Sequence, residues 1–233
     1  MRDTAIFLGP TLARADAERI LDADYLPPIC RGDLARLPDY IRFVGIIDGE
    51  FYQSLSVSPK EVVTLLRRGV TVCGASSMGA LRAAETHKLG TIGVGKIFEM
   101  FRDGILDADD EVALVYEPDT YRKLSEPLVN LRAALSLAAS AHIIDEHEKS
   151  DLALRLKSLY FPDRSLHALY SLAPKLRTFF THTPPPDPKR DDALQLLHTI
   201  HQLREDHSRH VRFRDIDLQA PPTLASPPSP SSS

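Results

Sequence analysis

Two hydroxyls in a row, Ser76 and Ser77, follow the run Val70-Thr71-Val72-Cys73-Gly74-Ala75 and precede Met78-Gly79. A β-branched run that ends in small residues and continues into a helix-forming segment puts a serine on a strand-to-helix turn. There the hydroxyl projects from a tight bend, and the next backbone N–H groups, those of Met78 and Gly79, can hold a developing oxyanion. Ser77 has a glycine two residues after it, like the second half of a G-x-S-x-G elbow. The first glycine of that motif is displaced, so the match is partial. The bland alternative is that Ser76 or Ser77 only caps the helix.

A serine nucleophile needs a base. His87 is the single histidine of the first half, and it falls toward the far end of its helix; the other eight follow residue 140 in polar or helical stretches. Lys60 offers another route. In the first turn of a helix, an ammonium faces the positive end of the dipole, and burial would lower its pKa further. The alternative for Lys60 is an exposed surface lysine. Asp48, with Gly49, either forms a turn or orients the site. Arg82 stands three residues before Glu85, so it either pairs with it or neutralises an anionic substrate near the serine. Cys73 reads as a buried strand residue, and Asp107, Asp109 and Asp110 as a solvated acidic loop with no metal.

The elements that would hold these groups alternate. Thr4 to Gly9, Ile41 to Ile47, Val70 to Cys73 and Val112 to Tyr116 read as strands. Between them run helices at Leu12 to Leu21, after the cap Thr11; at Pro59 to Arg68; at Met78 to Lys88; and at Lys96 to Arg102. A short helix at Asp33 to Arg36 is also compatible. Ser58-Pro59-Lys60-Glu61 has serine at the N-cap, proline at the first position and glutamate at the third. Asp24 to Gly32 reads as loop. The expectation is an α/β fold, a mostly parallel sheet covered by helices, over residues 1–120. Residues 121–182 read as a helical extension packed on that core. Residues 183–219 read as a linker through Pro184-Pro185-Pro186 and a polar helix from Asp191, and 220–233 as a disordered Pro/Ser tail.

The chain has 233 residues, 43% of them hydrophobic, and a formal charge of −4. That balance leaves no electrostatic footprint for nucleic acid. No apolar run reaches the length of a membrane span, and the start lacks a secretory h-region, so a cytoplasmic protein is expected. Two cysteines, Cys30 and Cys73, fall in no metal or redox spacing.

Phe7-Leu-Gly-Pro-Thr-Leu12, Gly45-Ile-Ile-Asp-Gly49, Lys60-Glu61, Gly74-Ala-Ser-Ser-Met-Gly-Ala-Leu-Arg-Ala-Ala-Glu85 and Gly93-Val-Gly-Lys-Ile-Phe-Glu99, followed by Asp103-Gly104 and Asp109-Asp-Glu-Val112, resemble TfuA-like proteins. The likeness covers roughly residues 4–135. It implies a partner of a YcaO enzyme, which activates a peptide amide with ATP and exchanges its oxygen for sulfur. It also implies a second partner, a ThiS-like sulfur-carrier protein whose thiocarboxylate is hydrolysed by a serine–lysine pair to release sulfide. By that resemblance the serine is Ser77 and the lysine is Lys60, with Lys96 of the G-V-G-K stretch as competitor; no cofactor, membrane or nucleic acid is implied. Ser76 stands where such proteins often have alanine, and Ser-Val-Ser-Pro precedes Lys60 in place of a more aromatic stretch. Two other readings stand beside this one: a non-catalytic adaptor joining a YcaO enzyme to its peptide, and a Ser–Lys amidohydrolase acting on a small molecule.

Overall fold

The structure is a computed structural model, and it describes residues 2–51 and 55–218. Five strands form one parallel sheet: β1 (Thr4–Phe7), β2 (Asp24–Leu26), β3 (Phe43–Ile46), β4 (Thr71–Ala75) and β5 (Ile92–Val94), in the order β2-β1-β3-β4-β5. β1 and β3 are buried along their whole length rather than alternating in burial. Helices α1 (Arg14–Glu18), α2 (Asp33–Arg36), α3 (Pro59–Arg67), α4 (Met78–Thr86) and α5 (Lys96–Arg102) connect them. The chain is therefore α/β, as its alternation of elements predicts.

The boundaries follow local chemistry. Ser58 caps α3, and its side chain and that of Glu61 satisfy each other's backbone N–H groups, the full capping box. The helix after β1 begins at Arg14 and not at Leu12, because Thr11 is spent on Asp48. The loop expected at Asp24 to Gly32 starts with β2, and Gly93, expected to lead only into a helix, lies in β5.

The strand expected at Val112 to Tyr116 does not form. A 3-10 turn at Asp109–Glu111 enters irregular chain, and Tyr116 makes one isolated antiparallel bridge to Lys123. Side chains hold this segment instead: Arg132 grips the buried Glu111 with two hydrogen bonds of 2.9 Å. Buried Arg164 binds the Asp110 carbonyl at 2.7 Å and the Asp110 carboxylate at 2.6 Å. Both arginines come from the helical part, α6 (Leu128–Ser140), α7 (Glu146–Ser158), α8 (Leu166–Leu172) and α9 (Pro174–His182), which has its own apolar cluster around Leu131, Leu135, Leu156 and Leu176.

The chain divides into two compact units, Met1–His201 and Gln202–Ser233. The last helix, α10 (Pro188–Leu218), supplies its first turns to the first unit and is helical to Leu218 in the second. The expected tail at 220–233 lies outside the described residues. Among the described residues no helix is long and apolar enough to cross a membrane.

Helix α4 lies directly on the sheet backbone at Gly79. A Cβ there would sit 1.7 Å from the Ile46 carbonyl oxygen, and one on Gly74 would sit 2.2 Å from the Gly79 oxygen. Two glycines thus set how closely the helix that begins at Ser77 approaches β3 and β4. Gly79→Ala is expected to cost at least about 2–3 kcal/mol, read as a clear fall in the thermal unfolding midpoint; an unchanged midpoint would show that α4 is not held by this contact.

Candidate functional site

In an open parallel sheet, ligands bind beyond the carboxyl ends of the strands, where the strand order reverses. Here the reversal falls between β1 and β3. The loops after β1, β3 and β4 bring Gly9 to Thr11, Asp48 and Gly49, and Ser76 and Ser77 to one rim. Asp48 stitches the first two together. Its buried carboxylate accepts from the Gly9 and Thr11 backbone N–H groups, at 2.9 and 3.0 Å, and from the Thr11 hydroxyl at 2.6 Å. Asp48 thus ties the loop after β3 to the loop after β1.

After β4 the chain turns sharply. Ser76 has φ +67°, and the Ser77 N–H donates back to the Ala75 carbonyl at 2.8 Å, a γ-turn with a left-handed centre. Such backbone costs on the order of 1–3 kcal/mol. It aims the next side chain out of the strand-to-helix bend. The Ser76 hydroxyl is buried without a hydrogen-bond partner, while Ser77, at the start of α4, makes no cap bond. The adjacent hydroxyls therefore have different surroundings.

The amine at Ser77 belongs to Lys189. Lys189 Nζ lies 3.0 Å from Ser77 Oγ and donates to the Val112 carbonyl at 2.8 Å, with Ser77 3% and Lys189 1% exposed. Burial pushes the lysine pKa down from 10.5 to about 8; nearby Asp48 pulls it back up, Lys123 pushes it down, and Asp187 and Glu126 pull it up. A neutral Lys189 can give one N–H to the Val112 carbonyl and turn its lone pair to the serine O–H, the arrangement of a nucleophile beside its base.

Several side chains hold Lys189 there. Asp187 accepts from the Arg190 N–H at 3.0 Å, so it caps the helix one residue ahead of Pro188. The same carboxylate binds Lys123 Nζ at 2.8 Å and Asn130 Nδ2 at 2.9 Å. One turn on, Asp192 accepts from the Lys96 and Ile97 backbone N–H groups at the start of α5, at 2.9 and 2.8 Å. Gly95 makes room for it: φ is +89°, and a Cβ would lie 2.2 Å from the Asp192 carboxyl carbon. Beyond it, Leu196 and Ile200 pack over Gly45 of β3.

The other expected site residues lie elsewhere. Lys60 is exposed on α3, and the hydrogen-bond partners of the Ser77 hydroxyl are Lys189 and Val112. Lys96 is exposed as well and contributes its backbone N–H to Asp192. Arg82 is committed away from the serine, to the Val57 carbonyl at 2.6 Å, the Ser56 hydroxyl at 3.0 Å and Glu85 at 2.6 Å, which is the internal pair the spacing allows. The Gly79 N–H, expected as an oxyanion donor, is given to the Ile47 carbonyl at 3.3 Å. The Met78 N–H is the first of α4, where no intrahelical acceptor exists. Gly49 lines the site beside Asp48.

Sequence reasoning missed Lys189 because a triple proline precedes it and charged residues surround it. The signals were Asp187-Pro188, a cap followed by proline at the first helical position, and the apolar spacing Ala193, Leu196, Leu197, Ile200. All four of those apolar residues are buried, so the start of the expected polar helix is a packed element.

Ser77, Lys189 and Asp48 face a slot lined also by Pro10, Pro28, Gly49, Phe51, Leu114 and Tyr116. Its volume is about 10 Å³, room for roughly one water-sized group. Residues 48–165 match the TfuA-like protein family, a span that opens at Asp48 and includes Ser77 and the Val112 loop. The chain belongs to the TfuA-like family. That membership places it in the YcaO-associated thioamidation system. The TfuA-like match ends at residue 165, before Lys189. No curated protein matches the chain.

The depressed lysine gives a pH signature. Below about 8 the amine is protonated folded and unfolded alike, and its burial penalty is fully present. Between about 8 and 10.5 the folded chain holds fewer protons than the unfolded one, so stability rises with pH across that window, by roughly 3 kcal/mol. Lys189→Met should remove this rise, seen as the wild-type-minus-variant difference in denaturant unfolding between pH 7 and 10.5. A difference that stays flat with pH would contradict a buried amine of depressed pKa.

Proposed function

We propose that this TfuA-like protein is a Ser–Lys hydrolase of a protein thiocarboxylate, delivering sulfide to a partner YcaO enzyme. The observation that supports it is the buried contact between Lys189 Nζ and Ser77 Oγ at the reversal point of the sheet. In this reading Lys189 takes the place expected of Lys60.

Neutral Lys189 takes the proton of Ser77 as Oγ attacks the thiocarboxyl carbon of a ThiS-like carrier. The oxyanion forms at the Met78 N–H, where the positive end of α4 also offsets the charge of the incoming anion. The tetrahedral adduct collapses by breaking the C–S bond. The Lys189 ammonium returns its proton to the sulfur, which leaves as hydrosulfide. Water, deprotonated by the same amine, then cleaves the acyl-serine to give the carrier carboxylate and free Ser77. The sum is one thiocarboxylate and one water converted to one carboxylate, one hydrosulfide and one proton. Asp48 keeps the β1 and β3 loops joined beside the amine, and the slot admits a chain end without a side chain, which suits a carrier ending in glycine.

The test is sulfide release from a thiocarboxylated carrier. Ser77→Ala and Lys189→Met should each reduce the rate at least about 10³-fold, while Lys60→Met stays near wild type. The wild-type rate should climb with pH and level off above about 8, the pKa of Lys189. Release at the parental rate by Ser77→Ala would leave the protein a non-catalytic adaptor; loss in Lys60→Met with activity kept in Lys189→Met would restore the original lysine.

A further inference from the structure

The slot at Ser77 adjoins a larger cavity. Gly49, Phe51, Leu114 and Tyr116 line both. The larger space, about 440 Å³, is walled further by Ala113, Val115, Pro118 and Phe161, with Glu50, Asp109 and Asp110 on its boundary. Among the described residues its lining is mostly apolar and holds no lysine, arginine or histidine. The Glu50 carboxylate accepts from the Tyr116 hydroxyl, and Asp110 is clamped by Arg164, so two of the three acids are fixed in place.

A slot with room for one water-sized group and a side-chain-sized cavity beside it describe a two-part acyl channel. An extended chain advances about 3.3 Å per residue, so when its reacting carboxyl end reaches the slot, the residues upstream of that end lie in the neighbouring space. An apolar wall there rewards a large side chain, and the fixed carboxylates repel an acidic one.

We propose that this cavity is a specificity subsite for the acyl chain, taking a bulky apolar side chain from the residue just upstream of the terminal glycines and rejecting an acidic one. The proposal rests on the thiocarboxylate-hydrolase reading and goes beyond it by naming what precedes the reacting end. Its residues lie across the chain from Lys189: Gly49, Glu50 and Phe51 follow β3, and Ala113 to Pro118 belong to the segment fastened by Arg132 and Arg164. Those two arginines therefore shape the substrate channel although neither touches the serine.

The experiment compares synthetic peptide thiocarboxylates ending in Phe-Gly-Gly, Ala-Gly-Gly and Glu-Gly-Gly, with sulfide release as the readout. The Phe peptide should exceed the Ala peptide in kcat/KM by about tenfold or more, and the Glu peptide should be the poorest. Phe161→Ala, which removes one wall away from the serine, should narrow the Phe-over-Ala preference, and Asp109→Asn should improve the Glu peptide relative to the others. Ser77-dependent turnover with equal kcat/KM for all three peptides, or turnover of none of them alongside an active carrier, overturns the subsite and leaves the hydrolase reading intact. Sulfide release that persists in Ser77→Ala overturns the hydrolase reading itself. Should Phe161→Ala fail to fold, the ranking of the three peptides on the wild-type protein decides alone.

Discussion

A lysine amine with 1% of its surface exposed, pressed against a serine hydroxyl, is the constraint around which this structure is arranged. Water is the natural solvent of an ammonium, and taking it away disfavours the charged form. The cost is met by position: Lys189 is tethered by a helix capped at Asp187, tied to Lys123 and Asn130, and docked through Asp192 on the start of α5. With Leu196 and Ile200 packed over Gly45, the helix has little freedom to draw the amine back toward water. What remains is an amine of lowered pKa beside a hydroxyl that follows a left-handed turn.

The opposing side of the site is built by the segment at 109–118, which has no regular ladder to hold it. Buried Arg164 and the bidentate pair of Arg132 with Glu111 fasten it to the helical part. Buried charged groups of this kind contribute little net stability compared with apolar packing, yet leaving one partner alone is expensive. Their value here lies in register. They fix the Val112 carbonyl that orients Lys189, and with it the walls of the slot and the larger cavity. Helices α6 to α9 and their connections therefore hold the walls of the site without placing a side chain on Ser77.

Much of the rim was legible in the sequence. The run Val70 to Ala75 ahead of two serines specifies a buried strand and a turn, and the glycine at 79 specifies close packing of the next helix. The capping box at Ser58 fixes a helix boundary to the residue. The short strands β2 and β5 were hidden, since Asp24 and Gly93 are poor strand formers that pair only because the neighbouring strands are already in place. Val112 to Tyr116 erred in the other direction: its strand-like composition is overruled by the side chains that anchor it.

Lys189 was the hardest to see because its place beside Ser77 is a product of topology. Lys189 lies 112 residues from Ser77, and its immediate sequence is charged and proline-rich. An ammonium in the first turn of a helix faces the positive end of the dipole, and burial away from water disfavours its charge further. Lys60 meets the dipole condition and fails burial; Lys189 meets both. A fluorophosphonate that reacts with activated serines, followed by intact mass and peptide mapping, tests this pairing most directly. The account predicts one adduct, on Ser77, that forms in wild type and Lys60→Met and is lost in Lys189→Met; an adduct on Ser76, or labelling of Ser77 indifferent to Lys189, would contradict it.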